Sequence, residues 1–206
     1  MGTLDILKIL VEKIHTVVVA TVDQENKPIT CAIDLMDFDN EGIYFLTAKG
    51  KNFYKRLIDK KCISLTGIKG KDTMSSLAIS VNGYVKEIGE ERLPTLLEKN
   101  PYMYQIYPSE SSRKALSVFH LYKGNGELFD LSKKPIEKYP FSFGDEKLKE
   151  DGYFITDACV GCNKCIHVCP QSCIEVINKK ARIINLHCLR CGNCYYVCPT
   201  NCIVRK

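Results

Sequence analysis

The sequence of 206 residues has no tryptophan and no uninterrupted apolar stretch of the roughly 18 residues that a membrane-spanning helix needs. Only 13 glycines and 8 prolines occur, which excludes collagen-like and low-complexity proteins. A cationic segment followed by an apolar run and a small-residue cleavage site is also missing, so no secretory leader is predicted. With 45% hydrophobic and 26% charged residues the chain is typical of a globular protein, and we expect it in the cytoplasm without a membrane partner.

The chain also lacks the short motifs of many enzymes. It has no Gly-x-Gly-x-x-Gly loop for a dinucleotide, no P-loop and no His-Glu-x-x-His zinc motif. The four histidines, His15, His120, His167 and His187, are spread over distant segments, and we expect them to be structural or on the surface. The sequence therefore names no catalytic residue.

Cysteine is the residue type in clear excess. Ten of the 12 cysteines lie between Cys159 and Cys202. Because structural disulfides are rare in the cytoplasm, such a density indicates metal or redox chemistry. The other two, Cys31 and Cys62, lie in or at the start of apolar strands, and we expect both to pack in a core.

The cysteine-rich segment is an internal repeat with a period of 29 residues. Each half reads Cys-x2-Cys-x2-Cys-x3-Cys-Pro, starting at Cys159 and at Cys188. Three thiolates at this spacing can bind three corners of a compact iron–sulfur cubane, while the fourth, beyond a helical turn, points toward the other repeat. A further cysteine follows each run, and we expect Cys173 and Cys202 to be small buried hydrophobes rather than ligands.

This pattern resembles the bacterial ferredoxins that carry two 4Fe-4S clusters. The resemblance implies that the ligands cross between the repeats. One cluster would be bound by Cys159, Cys162, Cys165 and Cys198, and the other by Cys188, Cys191, Cys194 and Cys169. Zinc is the rival metal, but these cysteines exceed the four ligands that a zinc site needs. A disulfide framework is disfavoured because no secretory leader is predicted.

The formal net charge of +5 arises from residues 155–206, which carry seven basic and two acidic side chains. Each oxidised cluster with its four thiolates carries a charge of about −2, so two clusters largely offset this excess. The basic side chains are scattered and form no stripe. We therefore expect no nucleic-acid partner.

The first 135 residues predict short β-strands with a few helices. The spacing of Leu4, Leu7, Leu10, Val11 and Ile14 predicts an amphipathic helix with Thr3 as its N-cap. Strands are predicted at 17–22, 29–35, 43–47, 62–66, 77–87, 115–123 and 127–131, and further helices at 53–58 and 90–99. Asn82-Gly83 predicts a bulge, and Gly124-Asn125-Gly126 predicts a hairpin turn.

These elements predict a mainly β protein: a split β-barrel with short helices, followed by a small α+β domain of the two-cluster ferredoxin type. The barrel domain is expected at residues 1–135 and the ferredoxin domain at 153–206. Residues 136–152 contain Pro140, two glycines and many charges, and we expect a linker that is anchored in part by Tyr139, Phe141 and Phe143.

Two stretches of the barrel resemble the FMN-binding split barrel of the pyridoxamine 5′-phosphate oxidase-like family. They are Lys27-Pro28-Ile29-Thr30-Cys31-Ala32-Ile33-Asp34 and Gly42-Ile43-Tyr44-Phe45-Leu46-Thr47-Ala48-Lys49-Gly50-Lys51-Asn52. In that family FMN lies across a dimer interface. The resemblance implies a flavin site made of Cys31, Ala32, Ile33, Leu46, Thr47, Lys51 and Asn52. The last three would bind the phosphate, although Asn52 stands where many members carry a second cation.

Together these features predict a flavo-iron–sulfur oxidoreductase. It would pass electrons between an external carrier or redox protein, two 4Fe-4S clusters and FMN, and reduce a small substrate, as a homodimer suited to anaerobic cells. Two alternatives stay open. The chain is an electron-transfer module whose barrel docks a partner and binds no flavin, or the barrel holds haem.

Overall fold

The computed structural model describes residues 1–148 and 150–206, which form two compact units. The first unit comprises Met1–Lys71, Leu77–Leu128 and Pro140–Leu148. The second comprises Asp72–Ser76, Phe129–Tyr139 and the described residues from 150 onward. No helix in the described residues is long and apolar enough to cross a membrane.

A closed barrel of six strands forms the first unit. The strands are β1 (Thr16–Val22), β2 (Pro28–Asp39), β3 (Gly42–Ala48), β4 (Cys62–Lys69), β5 (Leu77–Gly89) and β6 (Leu116–Asp130). Their order is β3-β2-β1-β4-β5-β6, and antiparallel pairing of β3 with β6 closes the ring. A seventh strand, β7 (Glu137–Phe143), extends the sheet beside β6. The mainly β architecture that the sequence predicts is confirmed.

Alternation along the strands fills the barrel. In β1 the side chains of Val17 and Val19 are buried, whereas Val18 between them is exposed. The aromatic rings of Phe45 and Phe119, on the paired strands β3 and β6, are fully buried and stack 5.7 Å apart. The helices around the barrel are α1 (Thr3–Lys8), α2 (Asn52–Lys60), α3 (Leu93–Lys99), α4 (Met103–Ile106) and α5 (Glu110–Arg113).

The N-terminal helix differs from the prediction at both ends. Thr3 is the first helical residue and not the cap, because the Asp5 carboxylate accepts the Gly2 N–H at 3.1 Å and starts the helix one residue earlier. From Ile9 to Ile14 the chain widens into a π-helical turn. It ends at His15, whose φ of 67° is uncommon for a residue other than glycine.

The glycines of the barrel mark close approaches of strands, so the predicted hairpin and bulge are wrong. Strand β6 runs unbroken through Gly124 and Gly126. A Cβ atom on Gly124 would lie 2.8 Å from the Asn82 carbonyl, and one on Gly126 would lie 2.7 Å from the Phe141 ring. The pairing of β4 with β5 likewise continues without a shift through Asn82 and Gly83. Glycine is required at these places for contact between neighbouring strands and not for a turn.

The segment that was expected to be a linker contains β7. Its alternating Tyr139, Phe141 and Phe143 fit a half-buried strand, and the last two are buried. Part of residues 136–152 is therefore regular sheet.

The second unit repeats one small α+β motif. Its strands are β8 (Tyr153–Ile155), β9 (Ile174–Ile177), β10 (Lys180–Ile183) and β11 (Ile203–Arg205), its helices are α6 (Lys164–His167) and α7 (Asn193–Val197), and two 3₁₀ turns cover Thr73–Ser75 and Asn185–His187. Strand β9 pairs with β10, and β8 pairs with β11. The residues before the helices, Asn163 and Gly192, both have positive φ angles, so each repeat turns sharply between its second and third cysteine.

Candidate cofactor sites

The cysteines of the second unit are collected into two groups, and each group draws on both repeats. One cavity is lined by Cys159, Cys162, Cys165, Cys198 and Cys202, and another by Cys169, Cys173, Cys188, Cys191 and Cys194. The groups contain the two crossed ligand sets that the sequence predicts. Ligation of iron itself stays a prediction.

The chemistry of the donor set fits iron–sulfur clusters. Backbone N–H groups face the sulfurs: Ala181 donates to Cys159 at 3.5 Å, and Arg190 donates to Cys188 at 3.4 Å. Such bonds stabilise a thiolate, and the bond from Ala181 lowers the pKa of the Cys159 thiol. In the described part of the chain no three His, Cys, Asp or Glu side chains are arranged to hold a single metal ion. The thiolates of a cubane each bind a different iron, so they need not converge on one point.

Cys173 and Cys202 are buried, as expected for small hydrophobes. Only 3% and 4% of their surfaces are exposed. Each lies four residues after the last cysteine of its run, and its sulfur is 3.4 Å from that cysteine's sulfur: Cys173 contacts Cys169, and Cys202 contacts Cys198. Both additional thiols therefore touch a predicted ligand.

A cavity of about 430 Å³ opens in the barrel unit beside β2 and the end of β3. Six of the seven predicted flavin residues line it: Cys31, Ala32, Ile33, Leu46, Thr47 and Lys51. The seventh, Asn52, does not. It begins α2 and lines a different cavity with Lys55 and Arg56.

The Thr47 hydroxyl has no hydrogen-bond partner, although Thr47 is 4% exposed. Among the described residues, Thr47 Oγ1 is the one buried side-chain polar atom without a hydrogen-bond partner. Leaving a buried hydroxyl unpaired costs about 1–3 kcal/mol, so the position calls for a polar ligand. Lys51, four residues later, occupies the N-cap position of the nine-residue helix α2 and lines the same cavity. A hydroxyl, a cation and a helix N-terminus together fit a phosphate group.

A hydrogen-bonded network that the sequence did not predict lies at this cavity. Asp34 and Thr16 both line the cavity. The Asp34 carboxylate accepts from the Thr16 hydroxyl at 2.6 Å and from the Tyr102 hydroxyl at 2.8 Å, and the His15 ring nitrogen is 3.1 Å from the Tyr102 oxygen. Burial acts to raise the pKa of Asp34, but the bonds from Thr16 and Tyr102 outweigh it, and the pKa lies below its ordinary value.

The rest of the cavity wall is mostly apolar. It includes Met103, Ile106 and Tyr107, which follow α3, more than 50 residues after β3 in the chain. No short motif marks these residues. Of the residues in this network and wall, Asp34 alone could have been noticed in the sequence, because it ends the first stretch of the family resemblance.

The two cysteines of the barrel are not in its core, contrary to the expectation. Cys31 is half-buried at the cavity wall, where burial raises the pKa of its thiol. Cys62 is exposed because it alternates with the buried Ile63 and Leu65 and so faces outward from β4.

The histidines differ in their surroundings. His120 is buried, stacks on Tyr44 at 4.3 Å and contacts the Glu41 carbonyl at 3.0 Å. His187 contacts the Ile136 carbonyl at 3.0 Å, and His167 is exposed. None of these three lines the barrel cavity. His15 contacts Tyr102, whose hydroxyl bonds to the cavity residue Asp34.

The fold and the two cysteine groups define a split-barrel protein with a domain of the two-cluster ferredoxin type. Residues 5–123 match the model of the pyridoxamine 5′-phosphate oxidase family, and residues 152–199 match that of the 4Fe-4S dicluster domain. The first match covers more than half of the sequence, and the chain belongs to the pyridoxamine 5′-phosphate oxidase family. No protein of curated function matches the sequence.

Solved structures share the fold of the barrel unit. A NimC/NimA family protein from Clostridium acetobutylicum is 19% identical with a TM-score of 0.56, over 69% of this chain and 92% of its own. PhzG from Burkholderia lata, in complex with tetrahydrophenazine-1-carboxylic acid, is 11% identical with a TM-score of 0.54, over 72% and 90%. An FMN-binding protein from Nostoc punctiforme is 10% identical with a TM-score of 0.50, over 69% and 90%. At these identities the likeness shows the fold alone.

Proposed function

We propose that the protein is a flavo-iron–sulfur oxidoreductase that takes electrons from an external carrier and reduces a small substrate at FMN. One observation carries the flavin part: the buried, unpaired Thr47 hydroxyl and Lys51 line one cavity, together with four more of the residues that the family resemblance implies for flavin. The cysteine groups of the second unit carry the iron–sulfur part.

The eight predicted ligands would hold two 4Fe-4S clusters. Such clusters accept and donate one electron at a time. The backbone N–H groups of Ala181 and Arg190 stabilise ligand thiolates, and basic side chains of this unit offset the negative charge of the loaded sites. Cys162 and Cys191 are exposed, so both groups reach the surface of the unit, where a redox partner can approach.

The barrel cavity would hold FMN, which supplies two-electron chemistry and exchanges single electrons with clusters. Thr47 donates its hydroxyl to the phosphate, Lys51 provides a positive charge, and the N-terminus of α2 provides unpaired N–H groups. The backbone of Cys31, Ala32 and Ile33 orients the flavin ring. Asn52 takes no part in this proposed site, since it lines another cavity.

The side of the cavity with Asp34 would bind the substrate. The Asp34 carboxylate is fixed by Thr16 and Tyr102, while Met103 and Ile106 provide apolar surface. This wall suits a small molecule that has an apolar body and a hydrogen-bond donor.

The outer face of the barrel supports the proposed homodimer. Val18, Ile68 and Tyr84, on the neighbouring strands β1, β4 and β5, are exposed by 53%, 67% and 50%. Thr66, between them, pairs with Ser80 through their hydroxyls and adds no charge. A partly apolar sheet face of this kind is typical of an interaction surface.

A second candidate function, an electron-transfer module without flavin, is favoured by one feature. Lys51 is the sole cationic side chain in the wall of the cavity as the described residues define it. A single cation is a modest complement for a phosphate of nearly two negative charges.

Cofactor content separates the candidates. Protein purified without oxygen should contain about eight irons and eight sulfides per chain, with one FMN released on denaturation. Clusters without flavin would support the electron-transfer module, and a Soret band would indicate haem. Stoichiometric zinc with little sulfide would contradict the iron–sulfur assignment.

A further inference from the structure

Each cysteine group contains one thiol more than a 4Fe-4S cluster needs. The additional thiols, Cys173 and Cys202, are equivalent in the 29-residue repeat and are both nearly inaccessible to solvent. Their sulfurs lie 3.4 Å from those of Cys169 and Cys198, which is within S–H···S hydrogen-bonding distance. The same contact therefore occurs twice, at independent sites.

Each additional thiol also shares its cavity with predicted ligands from both repeats. Cys173 lines one cavity with Cys169 and Cys188, and Cys202 lines the other with Cys198 and Cys159. In the crossed assignment, Cys169 and Cys188 belong to one cluster, and Cys198 and Cys159 belong to the other. Each additional thiol thus lies in the cavity of a single predicted cluster.

We infer that Cys173 and Cys202 donate S–H hydrogen bonds to the ligand sulfurs and raise the reduction potentials of the two clusters. Reduction adds one negative charge, and a donor aimed at a ligand sulfur stabilises the more negative state. Burial strengthens the effect because water does not compete for the sulfur. An alanine would fill the same place in the core but could not donate.

A ligand role for these thiols would require another cysteine to be released. Each cavity is already lined by four other cysteines. Three of the four come from one Cys-x2-Cys-x2-Cys run, and the fourth is the last cysteine of the other repeat's run. The backbone N–H of Cys173 also donates to Cys169 at 3.4 Å, so main chain and side chain of this residue face the same sulfur. This geometry is that of a donor to the ligand.

The inference rests on the proposed clusters, so the test begins with iron and sulfide analysis of the full-length holoprotein. Redox titration followed by electron paramagnetic resonance then gives the potential of each cluster. In Cys173→Ala and in Cys202→Ala, one of the two clusters should have a reduced-to-oxidised ratio about 3- to 10-fold lower at a fixed potential. The cluster whose reduction potential shifts should differ between the two variants. Cys62→Ala, which removes the exposed thiol of the barrel, should change neither reduction potential.

Serine separates hydrogen bonding from packing. Cys173→Ser keeps a donor in a side chain of similar size, and its cluster should remain close to the wild-type potential. Equal shifts in the alanine and serine variants, no shift in either, or loss of four irons from Cys173→Ala would each overturn the inference. Absence of iron and sulfide from the wild type would instead refute the proposed function, and this inference with it.

Discussion

The Tyr102 hydroxyl donates a 2.8 Å hydrogen bond to Asp34, which lies 68 residues earlier and lines the barrel cavity. The bond ties the segment between α3 and α4 to strand β2. Tyr102 also contacts His15 at 3.1 Å, and the carbonyl of His15 accepts the N–H of Leu35. These contacts hold His15 in its unusual backbone conformation and fix one wall of the proposed substrate site.

The bond from Tyr102 should stabilise the fold in a pH-dependent way. The pKa of Asp34 is lowered in the folded protein, so the ionised carboxylate contributes stability above its ordinary pKa, and this contribution is lost as the pH falls through the lowered value. We expect Tyr102→Phe to reduce the free energy of unfolding by about 1 kcal/mol at pH 7, since a partly exposed bond to a charged group is worth less than a buried one.

Thermal unfolding followed by circular dichroism at pH 7 and at about pH 2, where the Asp34 carboxylate becomes protonated, would check this prediction. The deficit of Tyr102→Phe should shrink at the lower pH. The matched control is Tyr104→Phe, because Tyr104 is exposed and contacts Arg113 through its ring, which phenylalanine keeps. A deficit of the same size at both pH values would contradict a role for the Asp34 charge.

Phosphate binding should depend on Lys51 more than on Thr47. We expect Lys51→Ala to weaken FMN binding by about 1–3 kcal/mol, because a charge-assisted bond is lost while the N-terminus of α2 remains. Thr47→Val should cost less. Fluorescence titration of flavin-free protein with FMN measures both affinities.

The control for Lys51 is on the same helix. Lys55 is exposed and lines the neighbouring cavity, so Lys55→Ala should bind FMN almost as the wild type does. Equal losses in both lysine variants would indicate a general electrostatic effect and would contradict the proposed phosphate site.

Much of this molecule could be predicted from local spacing. The alternation in β1, the continuously buried run in β3 and the repeat of Cys159 at Cys188 depend on short-range patterns that side-chain chemistry determines directly. Gly124 and Gly126 were misjudged because glycine permits both a tight turn and a close approach of strands, and only the neighbouring strands decide between them.

The candidate sites divide in the same way. The Thr47 and Lys51 group lies within five residues of sequence, so that short-range spacing alone was enough to propose it as a candidate phosphate site. Asp34 and Tyr102 could not be paired, because their contact depends on how the segment after α3 returns to β2. Cys62 was expected in the core, and only the register of β4 shows that it faces outward.

Assembly and flavin binding should be linked. If FMN lies between two barrels, flavin-free protein forms a weaker dimer, because a ligand that binds the dimer stabilises it by mass action. Sedimentation velocity with and without FMN measures the change. Thr66→Arg places a charge among the exposed apolar side chains of the outer face and should weaken both the dimer and FMN binding, whereas Asn40→Arg, in an exposed turn, should alter neither. A monomer that retains FMN would refute the shared site.

The crossing of ligands between repeats can be tested by combining substitutions. Cys169 is the last cysteine of the first run in sequence but lies with Cys188 and Cys194 in one cavity. We expect Cys169→Ser to impair the cluster of the second run and to lower the iron content toward four per chain. Two substitutions in one cluster should cost no more iron than one of them, since that cluster is already lost.

Cys169→Ser combined with Cys188→Ser should therefore retain about four irons, whereas Cys169→Ser combined with Cys159→Ser should retain almost none. Ligands that stayed within their own repeats would give the reverse order, because Cys169 and Cys159 would then share a cluster. Iron and sulfide analysis of the two double variants distinguishes these arrangements without any assay of activity. The reverse order would refute the crossed assignment, and with it the inferred pairing of Cys173 with the cluster of the second run and of Cys202 with the cluster of the first.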